Sequence, residues 1–545
     1  MNFPSEVPGR LCFILPRRVN KLICFYAGDR RIKAARDAII KYWPKGIKNE
    51  KVLSPECYQF KLEGEPFNYF GDNSTNKKEA CNLYSEIINS YYKRGWKLIV
   101  GTIMSQRNLE DPILIFKKII NPSKNPLLSI AIDHFHIQLD NLPTDLIPTV
   151  TYVVENHLNH DIKKIKQDTD GTVIYKLKGM VGLHGEETWQ FVQKLHEILY
   201  NNHYTTFGHI PLRAYKCFDL LFFQHSTTIF DQELFTMYLL HGDTIELENS
   251  NHVINNAMVE VISEAWKGGI QKQSEDGARF KLKLKGYPFS TLNEMECLAT
   301  DSLFANILEQ LVSVGYSIDC SFTQIKFDKR IIFKRQKPVH RAKFMCLNTK
   351  FHCVRLVNAP DEIKEATEAM VKEMKLDMKK IKRDTPGCSL DMRFKNRGIW
   401  EQLEGHDTYV ARSLLVALLG KYTELQYQFI LSAELTEKQG EGSSSWFFMY
   451  DNEQVTAKHQ LKVESQSRSP SPNRHSVHNS PRHSPRSHHH HHRSRSPRQS
   501  PRVQRTIHNG NTDAIKPFSG SERHLLPSAL VSEPPPSYEE ATKNC

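Results

Sequence analysis

The sequence predicts an α+β protein of four tandem modules of about 110 residues, each strand-helix-strand-helix-strand-strand, followed by a disordered tail. Three recurrences carry this reading. The octapeptide Lys164-Ile165-Lys166-Gln167-Asp168-Thr169-Asp170-Gly171 returns as Lys380-Ile381-Lys382-Arg383-Asp384-Thr385-Pro386-Gly387, and residues 269–277 stand in the same phase between them. A strand ending in glycine recurs at 58–64, 175–179 and 280–286, while the fourth copy at 390–396 lacks the glycine. A helical pattern then runs into Gly95-Trp96, His203-Tyr204 or Gly315-Tyr316, and two β-rich runs close the unit.

Taken in order, the modules open with strands at 22–26, 135–139, 244–247 and 351–356. Leu142-Pro143 and Ala359-Pro360 mark helix entries in the second and fourth. The closing strand pairs lie at 98–105 and 112–118 in the first module, 317–324 and 330–334 in the third, and 425–434 and 446–450 in the fourth. The resulting limits are a lead at 1–20, modules at 21–120, 129–226, 240–336 and 345–450, and the tail at 451–545. Alternation in Phe280-Lys281-Leu282-Lys283-Leu284-Lys285 predicts a sheet with one wet face and helices on the other. Trp43 and Trp266 fall at equivalent places and read as core anchors. Gly64, Gly179 and Gly286 read as turns needing positive φ.

The chain has 545 residues, 39% hydrophobic and 25% charged, with a formal net charge of +12. That balance supports real cores and excludes a wholly disordered, collagen-like or disulfide-stapled protein. Eleven cysteines without a Cys-x-x-Cys pair point to reduced thiols of the cytosol or nucleus, and a cytoplasmic location is expected. The first residues form neither a secretory leader nor a myristoylation site, and no apolar run is long enough to span a bilayer, the best being 414–419.

No catalytic constellation emerges, and neither a cofactor nor a resident metal is expected. His134 and His136 share a strand face but lack a third ligand. Cys297, Cys320, Cys346 and Cys353 lack zinc-finger spacing and read as buried thiols. Glu294 and Glu296, two apart on a helix, point to different faces and read as solvated surface. No phosphate-loop, nucleophile-elbow or zinc-protease motif appears.

The tail is chemically distinct. Residues 451–545 hold 14 Lys/Arg against 8 Asp/Glu, and 461–510 hold 10 against Glu464 alone. Six Ser-Pro steps stand among the arginines, at Ser469, Ser471, Ser480, Ser484, Ser496 and Ser500. They resemble sites of proline-directed kinases, and phosphorylation there nearly cancels the local positive charge. The run His488–His492 reads as a low-complexity tract without a metal role. Pro534-Pro535-Pro536-Ser537-Tyr538 contains Pro-Pro-x-Tyr: the prolines pre-form a polyproline II helix that loses little entropy on docking. This resembles the ligand of WW domains, particularly those of HECT-type ubiquitin ligases, with Pro535, Pro536 and Tyr538 carrying the binding.

Lys-Leu-Lys-Gly before Tyr287-Pro288-Phe289, a helix, Gly315-Tyr316 and two strands resemble an uncharacterised repeat family of fungi and animals. More distantly, residues 303–335 are similar in pattern to a module of the raftlins. Raftlins attach to membranes through an N-terminal Gly-Cys acylation signal, where this chain has Asn2-Phe3, so anchoring is not expected to carry over. The resemblance brings no catalytic residues. The expectation is a non-enzymatic adaptor whose modules hold a partner and whose tail recruits WW-domain proteins. The alternatives are an RNA-associated protein acting through the basic tail, or a peripheral protein with weak anionic-lipid contacts.

Overall fold

Leu11-Cys12-Phe13-Ile14-Leu15 opens the folded chain as β1 (Leu11–Arg17), whose seven residues are all buried. A run apolar on both faces suits a strand covered from both sides. The computed structural model describes residues 10–451 apart from 18–19, 68–73, 103–111, 124, 133–134, 159–161, 169–170, 179–185, 212–219, 228–232, 241, 292, 323–328, 350–352, 396–405 and 437–444. These residues belong to one compact unit spanning 1–469.

The first module continues with β2 (Lys21–Phe25), α1 (Asp29–Tyr42), β3 (Ile47–Ser54), β4 (Cys57–Leu62), α2 (Ser74–Lys93), β5 (Trp96–Thr102) and β6 (Ile113–Lys118). The second holds β7 (Leu128–Ile132), β8 (His136–Asp140), α3 (Ile147–His157), β9 (Ile162–Gln167), β10 (Thr172–Leu177), α4 (Glu186–Asn201), β11 (Tyr204–Ile210) and β12 (Leu220–His225). The third holds β13 (Leu234–Leu240), β14 (Thr244–Glu248), α5 (His252–Ala265), β15 (Ile270–Asp276), β16 (Arg279–Leu284), α6 (Glu294–Ser313), β17 (Tyr316–Phe322) and β18 (Lys329–Arg335). The fourth holds β19 (Ala342–Asn348), β20 (Cys353–Val357), α7 (Asp361–Glu373), β21 (Met378–Thr385), β22 (Cys388–Phe394), α8 (His406–Glu424), β23 (Gln428–Ala433) and β24 (Ser445–Asp451). Each module is one six-stranded antiparallel sheet with two helices, and all four share the strand order third-fourth-second-first-sixth-fifth.

The four tandem α+β modules are thus present, with two strands more per module than the sequence pattern indicates. A hairpin stands where one strand was expected, before the first helix and again between the helices. β1 lies within residues 1–20, and β13 begins ahead of residue 240. The first extra strand hides because burial on both faces removes alternation. The second hides for the opposite reason: β9 and β21 are exposed along nearly their whole length, so no apolar face marks them.

Local chemistry sets the joints. Asn251 caps α5 by accepting from Ile254 N at 3.1 Å, and Asn293 caps α6 by accepting from Met295 N at 2.9 Å. The turn between the second strand and first helix requires φ near +60° in every module, adopted by Tyr26, Asn141, Asn249 and Asn358. Asparagine tolerates this region better than most residues. Gly64 and Gly286 hold the positive φ expected of them, at 72° and 85°; Gly179 lies outside the described residues. Trp43 Nε1 donates to Glu63 O at 2.8 Å and Trp266 Nε1 to Lys285 O at 2.9 Å, so both indoles tie the first helix to the strand-ending turn.

The sheets do not keep one wet face. Phe13, Ile23 and Phe25, on one face of the first sheet, share a core with Ile363, Leu414 and Leu418 of the fourth module's helices. Cys12, Ile14 and Leu22, on its other face, pack with α1 and α2, which also meet Phe207 and Phe222 of the second sheet. The second module's helices in turn meet Cys320 and Phe322 of the third sheet, and the third module's helices meet Phe344 and Phe447 of the fourth. Each helix pair is therefore sandwiched between its own sheet and the next module's sheet, and the series closes from the fourth module back to the first. Among the described residues, the solvated sheet faces are those of the outer hairpins.

Candidate functional site

The inner edges of the four sheets meet. β5, β11, β17 and β23 each end their sheet; β5 touches β11 and β23, and β17 touches the same two. Each carries a β-bulge at the same place, between Leu98 and Val100, Thr206 and Gly208, Ile318 and Cys320, and Phe429 and Leu431. A bulge frees one residue from the ladder and re-aims it. Residues 98–101, 206–209, 318–321 and 429–432 together line a cavity of about 140 Å³. That is well below the ~300–1,000 Å³ of a typical ligand pocket and suits a few waters on unpaired strand edges. β5 runs close to β11 at Gly101, where a Cβ would stand 2.7 Å from the His209 carbonyl oxygen.

The bulge residue Asp319 holds the most elaborate polar cluster of this centre. Its side chain is fully buried and accepts from Lys334 Nζ at 3.0 Å, Thr206 Oγ1 at 2.6 Å and Tyr200 Oη. Burial alone would raise the carboxyl; Lys334, with the hydroxyl donors, holds it below the usual carboxylate value. His196 Nε2 stands 4.0 Å from Asp319, and its Nδ1 is 3.1 Å from Val192 O. Burial lowers the imidazole against the pull of Asp319, so it is uncharged near neutrality. With Lys334 and the third sheet on one side and α4 with β11 on the other, the cluster joins modules two and three.

The other seams carry polar links of different composition. Between modules one and two, Ser85 Oγ is 3.1 Å from Ser129 Oγ, and Ser129 donates to Asp140 at 2.7 Å. A polar pocket of about 180 Å³ opens there, lined in part by Asn82, Asn89 and Asp140. Between three and four, Arg355 reaches Glu294 at 2.6 Å, and Asn348 donates to Asp301 at 2.5 Å. Between four and one, Thr102 and Ser432 hydroxyls lie 2.9 Å apart, and the Arg17 guanidinium stands 4.9 Å from the Tyr409 ring centre.

These arrangements hold modules together rather than assemble a nucleophile with a base. Burial pushes the Cys12, Cys24 and Cys57 thiols up to about 12, and Cys353 and Cys388 to about 11. Thiols in that range carry almost no thiolate at neutral pH. Among the described residues, no group of three His, Cys, Asp or Glu side chains is placed to hold a metal ion.

Of the residues marked by sequence, Cys297, Cys320, Cys346 and Cys353 are buried and dispersed among different strands and α6. His136 lies on β8 directly opposite Lys176, and His134 is outside the described residues. Glu294 departs from expectation: instead of a purely solvated helix surface, it bridges Arg355 and Arg393 of the next module at 2.6 and 2.9 Å. Pro535, Pro536, Tyr538 and the serines at 469, 471, 480, 484, 496 and 500 all lie outside the described residues, as does the histidine run. The central cluster was missed because His196 of module two is far in sequence from Asp319 and Lys334 of module three, and the other seams are built from different residues.

No helix among the described residues is long and apolar enough to cross a membrane. No curated protein and no solved structure matches the chain. One family model, for a repeat domain, matches residues 10–117, 233–334 and 343–449, which are modules one, three and four. Those matches cover more than half of the 545 residues, and the chain belongs to this repeat-domain family.

Proposed function

We propose that the chain is a non-enzymatic, cytoplasmic adaptor. Its four-module body engages a partner, and its tail recruits WW-domain proteins such as HECT-type ubiquitin ligases. The observation that carries this reading is Pro535-Pro536-Ser537-Tyr538, a polyproline II ligand in a tail too poor in apolar residues to bury them in a core. The buried, high-pKa thiols and the use of buried carboxylates as links between modules support a binding role over a catalytic one. Phosphorylation at the six Ser-Pro steps would tune the tail by removing its positive charge.

The test is affinity capture with the full chain and its Tyr538→Ala variant. WW-containing ligases retained by the first and lost by the second support the proposal. Identical partner lists overturn it. RNA or anionic lipid held by both would then favour the basic-tail reading or the peripheral role suggested by the raftlin-like pattern of residues 303–335.

A further inference from the structure

The outer hairpins repeat an arrangement that ordinary sheet energetics disfavours. In the second module Lys164 of β9 stands directly opposite Lys176 of β10, which stands opposite His136 of β8. At the equivalent register Lys272 faces Lys283 in the third module and Lys380 faces Arg393 in the fourth. In the first, Lys61 faces Lys21. Like charges directly opposite each other on a sheet repel, yet modules two, three and four oppose two cations at this register; the first has Asn49 opposite Lys61 there and opposes Lys61 to Lys21 on the other side.

Guarding an open sheet edge explains lysines on the edge strands β9, β15 and β21. It does not explain Lys176, Lys283 and Arg393, which lie on strands paired on both sides. Neighbouring acids relieve part of the repulsion: Asp243 lies 3.6 Å from Lys283, and Asp391 and Glu294 lie 3.1 and 2.9 Å from Arg393. Among the described residues no carboxylate is within ion-pair distance of Lys164, Lys176, Lys272 or Lys380, and all four are exposed. Lys166, on the same face as Lys164, extends the second module's patch.

We propose that these hairpin faces bind the phosphate backbone of single-stranded nucleic acid. The charge left unpaired is repeated and positive, since the acids of these faces, such as Asp168, Asp243, Glu246 and Asp391, are each held by a neighbouring Lys or Arg. It is carried mostly by lysine, which meets phosphate as a point charge rather than as a bidentate fork. Apart from His136, the opposed positions hold no aromatic residue on which a base would stack, so the contact is chiefly to phosphate and independent of base sequence. A flexible polyanion can follow a pleated face from one cation to the next, releasing counterions at each contact. A bilayer is the poorer fit. The exposed Ile165 and Ile381 point to the face away from these lysines, and the first and third modules have Glu50 and Gln273 at that position.

The test uses the full chain and a labelled oligouridylate titrated between about 50 and 200 mM salt. The combined K164Q, K176Q, K272Q and K380Q variant is expected to bind at least about tenfold more weakly, with the slope of log K against log salt flattened by roughly 0.7 per lost contact. A control losing the same charge from exposed Lys33, Lys337, Lys372 and Lys375 is expected to lose much less. The test variant should also melt at or above the wild-type temperature, because repulsion has been removed. Unchanged affinity and slope would assign all binding to the tail and overturn the proposal. So would an equal loss in the control, a lower melting temperature in the test variant, or lost binding to phosphatidylserine vesicles with oligouridylate binding intact.

Discussion

Asp319 concentrates the residue-scale argument. A buried carboxylate is tolerable only while its donors stay in place. Asp319→Ala leaves Lys334, Thr206 and Tyr200 facing a void, and it should destabilise the body by about 2–4 kcal/mol in urea unfolding. Its neighbour His196 adds a pH dependence of definite sign. The imidazole titrates below its ordinary 6.5 in the fold, so between 6.5 and the lowered value the unfolded chain binds a proton that the folded chain does not. Stability therefore falls as pH falls through that window. Asp319 acts at lower pH: its depressed carboxyl contributes fully above the ordinary carboxylate value, and that contribution is lost only as pH drops through the depressed one. Urea midpoints at about pH 7 and pH 5 should differ less in His196→Asn than in wild type; equal differences would refute the assignment. The thiols give an independent check. All nine described cysteines are buried, so maleimide should reach them only on unfolding, and rapid labelling of Cys12, Cys24 or Cys353 in the native chain would contradict their placement.

At the scale of elements, the close approach of β5 and β11 rests on Gly101. A Cβ there meets a backbone carbonyl at 2.7 Å, which has nowhere flexible to retreat. Gly101→Ala should cost about 1–3 kcal/mol by overpacking, whereas Gly171→Ala meets no neighbour and bears only backbone strain. A thermal shift at position 101 no larger than a surface control would sink the argument. The same elements show what sequence could reveal. Repeated Gly-Trp and Gly-Tyr pairs located the helix-to-strand turns, where Gly95 and Gly315 hold φ of 80° and 92°. His203 and Gln426 adopt φ of 64° and 74° at the equivalent turns without glycine, so the glycine marks this turn only in modules one and three. The run at 414–419 was legible as apolar but not as a sandwiched helix. From 410 to 420 every residue of α8 is buried, because α8 lies between its own sheet and the first; apart from Arg412 and Ser413 the stretch is apolar all round, as such a position requires. The central cavity was illegible for a related reason. Four strands meeting edge to edge leave no periodic signature, and the bulges that shape the cavity add one residue without marking it.

The closed series of modules makes stability a property of the whole. Each of four cores joins two modules, so no module buries its apolar surface alone, unlike a linear repeat array whose end units are capped. The seam between modules four and one relies more on apolar contact than the others. Phe13 and Phe25 stack at 4.2 Å, and Phe25 also meets Tyr409 at 5.7 Å. The pairs corresponding to Phe13 and Phe25 in modules two and three are Ser129 with Asp140 and Thr236 with Glu248. Phe25→Ala should therefore cost about 3–5 kcal/mol through the cavity it leaves. Because the seam joins the first and last modules, it closes contacts far apart in sequence, and the loss has two readouts. Amide exchange should rise in α7 and α8 although the substitution is in β2, since those helices are covered on one side by the first sheet. Urea unfolding should remain a single transition at lower denaturant, because opening this seam leaves two apolar faces exposed and weakens the three seams still formed. A first transition confined to modules one and four, with α4 and α6 still protected, would mean that the seams open independently and that the closed arrangement is a packing of separate domains.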